Sequence, residues 1–315
     1  MRNSLPPQMS SESRPQSSPE SGGWIDAHQH VFWHGRDDAG LVADMDEGGI
    51  AKAWLLTWEW SPLEQSPALH GILDPAGRRP DGTHEGLGFS NVLRAARRFP
   101  DRFIVGYCPH PLLGDAPALL KAAVTMHGVR VCGEWKFRIP LDDPRSLNLL
   151  RTAGELSLPV VIHLDVPYLA NSDGKPVYQT DWYGGTVENL ERALAQCPET
   201  VILGHAPGFW REISGDAVSD PSRYPSNPVV PGGRMLTLLE RFPNLWLDLS
   251  AGSGLGALKR DRGFTVEFLE RFSDRVLFAR DEYGHRLATF LAELPLSPET
   301  REKILWKNAE ALLAK

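Results

Sequence analysis

The segment WIDAHQH (residues 24–30) carries Asp26, His28 and His30 at every second position. In a strand that spacing points all three side chains to one face. Two imidazoles so placed can grip one metal ion, but a lone HxH is a weak signal. Three later residues strengthen it. His163 closes the apolar run PVVIH, His205 closes VILGH, and Asp281 follows VLFAR. A buried structural histidine is the ordinary reading of any one of these. Several imidazoles and a carboxylate, each where an apolar run stops, are harder to explain separately. Neutral imidazole and carboxylate are the ligands that Zn2+ and related divalent ions take. In VCGEWKF, Glu134 and Lys136 share a parity and face one way. The ordinary reading of such a pair is an internal ion pair.

The elements that must position these groups form a regular series. Eight short apolar runs lie at residues 24–28, 51–57, 103–108, 129–137, 159–164, 200–204, 245–250 and 275–279. Helical patterns separate most of them, at 88–99, 117–126, 145–156, 186–195, 234–242, 265–272 and 297–313. Strand–helix alternation implies a parallel sheet. Eight repeats over residues 24–315 imply an α/β fold, a single-domain (β/α)8 TIM barrel. No GxGxxG opens the first helix, which argues against a dinucleotide-binding sheet. In a barrel, residues at strand C-termini build the site. Three long connections, 58–87, 166–185 and 207–233, follow such ends and are expected to shape a substrate pocket.

Composition narrows the partners. The net charge is -7, which argues against a nucleic-acid surface. No apolar run is long enough to span a membrane. A small molecule is the expected partner, and a homo-oligomer is left open. Residues 1–23, rich in Ser, Pro, Gln and Glu, read as a disordered tail without a secretory signal. Three cysteines (Cys108, Cys132, Cys197) without CxxC spacing suit buried thiols in a reducing, cytoplasmic compartment.

The pieces DAHQH (26–30), LPVVIHLD around His163, ILGHAPG around His205, RVLFARDEYG around Asp281 and the ending KILWKNAEALL resemble the amidohydrolase superfamily, and most closely its amidohydrolase 2 branch. The resemblance implies that His28, His30 and His163 bind a metal. Asp281 would bind or adjoin it and take the proton of an attacking water. His205 would ligate a second ion or act as electrophile and base. Glu134 is similar to the bridging glutamate of some members, and Lys136 to a lysine common in the branch that need not be a ligand. One ion is expected, Zn2+ with Mn2+ as the alternative, and a second is left open. The implied reaction is hydrolysis of an amide, lactone or ester by a metal-activated water. The alternative is non-oxidative decarboxylation or hydration of a carboxylated ring or dienoate. A barrel that binds without turnover is disfavoured by the presence of both His205 and Asp281. Arg280 departs from the branch, where a small residue more often precedes the aspartate, and its parity points it away from Asp281. Arg138, Trp182 and Trp210 are candidate substrate contacts. Trp58, Trp60, Tyr168, Tyr183, Tyr283 and His110 also fall just after strand ends, whereas His34, His70, His84 and His285 have no supporting pattern.

Overall fold

The computed structural model describes residues 23–62 and 64–314. The expected tail therefore lies, apart from Gly23, outside the described residues. The chain folds as a TIM barrel. Its eight barrel strands are β1 (Trp24–Gln29), β2 (Ile50–Leu55), β3 (Phe103–Val105), β4 (Cys132–Trp135), β5 (Val160–His163), β6 (Ile202–His205), β7 (Leu245–Asp248) and β8 (Val276–Leu277). All neighbouring pairs within β1–β2–β3 and within β4 to β8 are parallel. Gly106 bridges to Val131 between β3 and β4, and the Ala27 N–H donates to the Phe278 carbonyl (2.9 Å) between β1 and β8.

Each strand is apolar on both faces because each face is covered. Ile25, Ala27, Trp54, Leu56, Val131, Val161, Leu203 and Leu277 fill the barrel. Val160, Ile162, Ile202, Leu245, Leu247 and Phe278 pack outward with the helices. This double burial produces near-continuous hydrophobic runs in place of alternation. It leaves the strand C-termini as the places where polar side chains enter.

All seven expected helical segments contain helix, and among the described residues four further α-helices were not anticipated, the shortest being Pro207–Trp210. Asp38–Glu47 is acidic but is started by Asp37, whose side chain accepts from the Gly40 N–H. Ala251–Lys259 carries three glycines, which weaken helix propensity. Arg286–Glu293 follows the β8 turn. The expected helix at 297–313 is instead helix Pro298–Glu302, a π turn over Lys303–Lys307, and helix Asn308–Leu313.

One parity expectation fails. Register shifts between Asp26 and Gln29 in β1, so Asp26 does not share a face with His28. Asp26 is wholly buried against Arg280 (Nε to Oδ2, 2.6 Å), and Arg280 also reaches Asp44 (2.7 Å). Arg280 thus points away from Asp281, as its parity implied.

Candidate metal centre

The end of β1 delivers His28 and His30, β4 delivers Glu134, β5 His163, β6 His205, and the turn after β8 Asp281. The structure brings all six together, and their atoms fall into two halves. On one side, Glu134 Oε2 lies 3.5 Å from His30 Nε2 and 4.0 Å from His28 Nε2. Asp281 Oδ1 lies 3.4 and 3.9 Å from the same two nitrogens. On the other side, Glu134 Oε1 lies 2.7 Å from His163 Nδ1 and 3.9 Å from His205 Nε2. Asp281 Oδ2 lies 3.6 Å from His205 Nε2. His163 was expected beside His28 and His30, yet it is set against the far oxygen of Glu134.

Two triads, His28–Glu134–His205 and His28–His30–Asp281, each bring ligand atoms within 4.8 Å of one another. Glu134 Oε2 and Asp281 Oδ1 are buried without a hydrogen-bond partner. Buried carboxylate oxygens without partners are costly. Both face the His28–His30 pair, so a divalent cation fits the donor set and the orphaned atoms alike.

A surrounding shell sets which nitrogen of each ring faces inward. His30 Nδ1 bonds the Leu56 carbonyl (2.9 Å), His28 Nδ1 bonds Asp248 Oδ2 (2.7 Å), and His205 Nδ1 bonds Ser250 Oγ (2.7 Å). Each leaves Nε2 toward the cluster, the arrangement that fixes tautomer and orientation in metal sites. His163 Nε2 lies 3.4 Å from Asp165, which Arg223 holds in turn. Asp281 sits at φ +50°, a region that side chains other than glycine adopt at some cost. Its N–H donates to the His28 carbonyl (2.9 Å), and its own carbonyl accepts from Trp33 Nε1 (3.1 Å).

Electrostatics sorts the groups further. Burial lowers His205 to about 4, which keeps it neutral. Burial would also lower His28, but Asp248, Asp281 and Glu134 raise it to about 9. Burial pushes the Glu134 carboxyl up, yet Lys136 and His163 hold it well below the usual carboxylate range. Three carboxylates thus crowd imidazoles in a dry site, which marks a place prepared for positive charge.

The remaining candidates separate. Lys136 Nζ lies 3.8 Å from Glu134 Oε2 and 3.7 Å from the centre of the Trp58 ring, so Lys136 makes the internal ion pair. Arg138 lies 3.6 Å from Asp181, with its guanidinium 5.9 Å from the Tyr183 ring. Trp210 is 1% exposed, and its indole donates to the Asp248 carbonyl (3.0 Å), so it backs the cluster. Trp182 donates to the Tyr178 hydroxyl (3.1 Å) on the hairpin formed by Tyr168–Ala170 and Pro176–Tyr178. His110 pairs with Glu64 (2.6 Å), which braces the 58–87 connection. The aromatic rings against the cluster are Trp33, 5.9 Å from His30, and Tyr183, 5.3 Å from His163, with Trp58 in contact with both. Sequence reasoning missed Trp33, Asp165, Asp248 and Ser250. Asp248, a carboxylate late in the apolar run LWLDLS, carries the same signal that picked out His163.

A family model described as amidohydrolase matches residues 25–315. The search of curated proteins finds no match. Among solved structures, the chain is similar to an uncharacterised TIM-barrel protein of Bordetella bronchiseptica (TM-score 0.61, 17% identity, covering 92% of this chain and 98% of that one). It is also similar to a dihydroxybenzoic acid decarboxylase of Polaromonas with bound manganese and an inhibitor, 2-nitroresorcinol (0.57, 17%, covering 93% and 97%). A third likeness is to a protein from Pseudomonas putida suggested to be a 2-pyrone-4,6-dicarboxylic acid hydrolase (0.56, 17%, covering 93% and 97%). At these identities the likeness is one of fold.

Proposed function

Because the chain belongs to the amidohydrolase family, whose members are metal-dependent hydrolases and decarboxylases, we propose that it hydrolyses a small carbonyl compound, an amide, lactone or ester. The observation that carries this reading is the double-sided placement of Glu134 and Asp281. Each carboxylate offers one oxygen to the His28–His30 side and the other toward His205. His28, His30 and Asp281 would hold one ion, Zn2+ before Mn2+, and Glu134, His163 and His205 would be the donors for a second. Such an ion, when bound, acidifies water and polarises a carbonyl.

The side chains do the rest. Asp281, with Oδ2 3.6 Å from His205, takes the proton of the attacking water and returns it to the leaving group. His205, neutral at pH 7, stabilises the developing charge as a ligand or hydrogen-bond partner. Asp248 and Ser250 keep the His28 and His205 rings oriented, and Trp33, Trp58 and Tyr183 exclude bulk water. No step needs Lys136 as a base, because its charge is matched to Glu134.

Decarboxylation of a carboxylated ring is the second reading. It is favoured by the cations of Lys136 and Arg138, 5.6 and 5.9 Å from the centre of the Tyr183 ring, which suit an aromatic acid. The deciding experiment offers metal-loaded protein a panel of lactones and esters beside hydroxybenzoates and follows both acid production and CO2 release. Turnover of the first group without CO2 supports hydrolysis. CO2 from the second group replaces it with the decarboxylase reading. A preparation from zinc- or manganese-supplemented culture that carries well under one equivalent of metal overturns both.

A further inference from the structure

Beside the cluster, on the same end of the barrel, lies a crevice that the chemistry above does not use. Its floor is the glycine-bearing face of helix Ala251–Lys259, with Gly252, Ser253 and Gly256. Pro207, Trp210 and Tyr224 also line it, and so do three arginines: Arg211, Arg223 and Arg260.

Each arginine brings a buried nitrogen without a hydrogen-bond partner: Arg211 Nε, Arg223 Nε and Arg260 Nη1. Arg211 is only 5% exposed, and its bonds go to the carbonyls of Ala217 and Asp220, which are neutral acceptors. The Arg260 side chain is 1% exposed. It donates to the Asn227 carbonyl (2.6 Å), and Asp216 approaches only to 3.6 Å. Arg223 is committed to Asp165. Asp165, Asp181, Asp216 and Asp220 lie around the three guanidinium groups, and Glu212 beside Arg211 is already held by Arg234. A buried guanidinium is tolerated where its donors are used, and here three N–H donors are left over. Guanidinium is also the side chain whose fork fits oxyanions.

We propose that this crevice is a binding site for a small oxyanion. Its cavity volume of about 20 Å³ takes one water-sized group. The anion therefore enters with one oxygen edge between the arginines while its remainder stays toward the rim. A carboxylate of a small organic acid and a free inorganic oxyanion both supply that edge. Bound there, the anion meets Arg223, which holds Asp165 against His163 of the metal cluster. Occupancy is thus coupled to the cluster by direct contacts.

The test uses full-length, metal-loaded protein with sodium sulfate and sodium acetate as probes. Thermal midpoint and calorimetric binding are followed against sodium chloride at equal ionic strength. One or both probes should bind saturably and raise the midpoint, where chloride does not. The probe with the lower Kd identifies the source, sulfate for an inorganic anion and acetate for an organic acid. Arg260→Met should abolish the effect, although a buried arginine is a risky substitution. Gly256→Glu avoids that risk, because Gly256 is exposed on the helix and an added Cβ meets nothing within 4 Å. It sets a carboxylate at the rim and should weaken probe binding at least tenfold, with the metal content unchanged. The proposal is overturned if neither probe outperforms chloride, or if G256E binds as the unmodified protein does.

Discussion

The two halves of the cluster are fastened to different parts of the protein. His28, His30 and Asp281 are wired into the barrel itself. Asp248 on β7 holds His28, the Leu56 carbonyl beside β2 holds His30, and the Asp281 N–H bonds the His28 carbonyl. Beneath them, Arg280 joins Asp26 to Asp44, and all three side chains are buried. His163, on the other half, takes its outer support from Asp165 and then from Arg223, which belongs to the long 207–233 connection and is 36% exposed. One half rests wholly on the core, while the other draws part of its support, at His163, from a loop. The core half should therefore set how tightly the first ion is held. The loop half is free to adjust when something binds above it.

The largest effect expected concerns the residue that spans both halves. Asp281→Asn keeps the size of the side chain but removes its charge and its ability to accept a proton. Turnover should fall by about 10²–10⁴-fold, the usual worth of a positioned acid–base group, with the circular-dichroism spectrum and melting cooperativity retained. Undiminished turnover would remove Asp281 from the reaction and leave the two halves without a shared base.

Arg280→Met probes the support beneath the core half. It leaves the buried Asp26 without a cation and Asp44 with Arg36 alone, and breaking such a network costs about 3–5 kcal/mol. Chemical denaturation should register that loss. Metal affinity should fall too, because the Arg280 N–H to Asp26 bond (2.9 Å) and the Gly284 N–H to Asp44 bond (2.9 Å) frame the turn that carries Asp281. A stable variant with unaltered metal binding would show that the triad is not what seats Asp281.

Asp248→Asn is gentler. The amide can still meet His28 Nδ1, but it no longer favours the tautomer with the proton there. Loss of such an outer partner typically lowers metal affinity by about 10–100-fold, which competition with a chelator measures directly.

How much of this was readable in the sequence depends on what each residue interrupts. His28, His30, His163, His205 and Asp281 stand where apolar runs end, and a strand end on a barrel has one destination. Glu134 was legible as a group facing inward, but its alternatives of bridge or ion pair were not separable, since the ion pair with Lys136 and the approach to four imidazoles occur together. Asp26 was misplaced because strict alternation assumes an unbroken register, and β1 shifts after it. Asp165 and Arg223 were invisible for a different reason. Their pairing joins residues 58 positions apart across two loops, and no periodicity encodes such a contact. The helix Ala251–Lys259 was hidden by its glycines, whose bareness makes room for the arginine crevice.

The smallest effect should come from Arg223→Gln, which tests the loop half. The Arg223–Asp165 pair is partly exposed, so its strength is reduced by solvent and salt. Removing it leaves Asp165 still 3.4 Å from His163 Nε2 and still bonded through its backbone N–H to the Tyr183 carbonyl (2.8 Å). The His163 ring should keep its place with greater freedom. Affinity for a first equivalent of metal should change by less than about tenfold, below the range for loss of a well-buried outer partner. Any second equivalent, drawn by Glu134, His163 and His205, should weaken more than the first. Stepwise titration of metal-free R223Q with Zn2+ separates the two. If the first equivalent weakens as much as in D248N, the loop supports the whole cluster, and the division into a core half and a loop half fails.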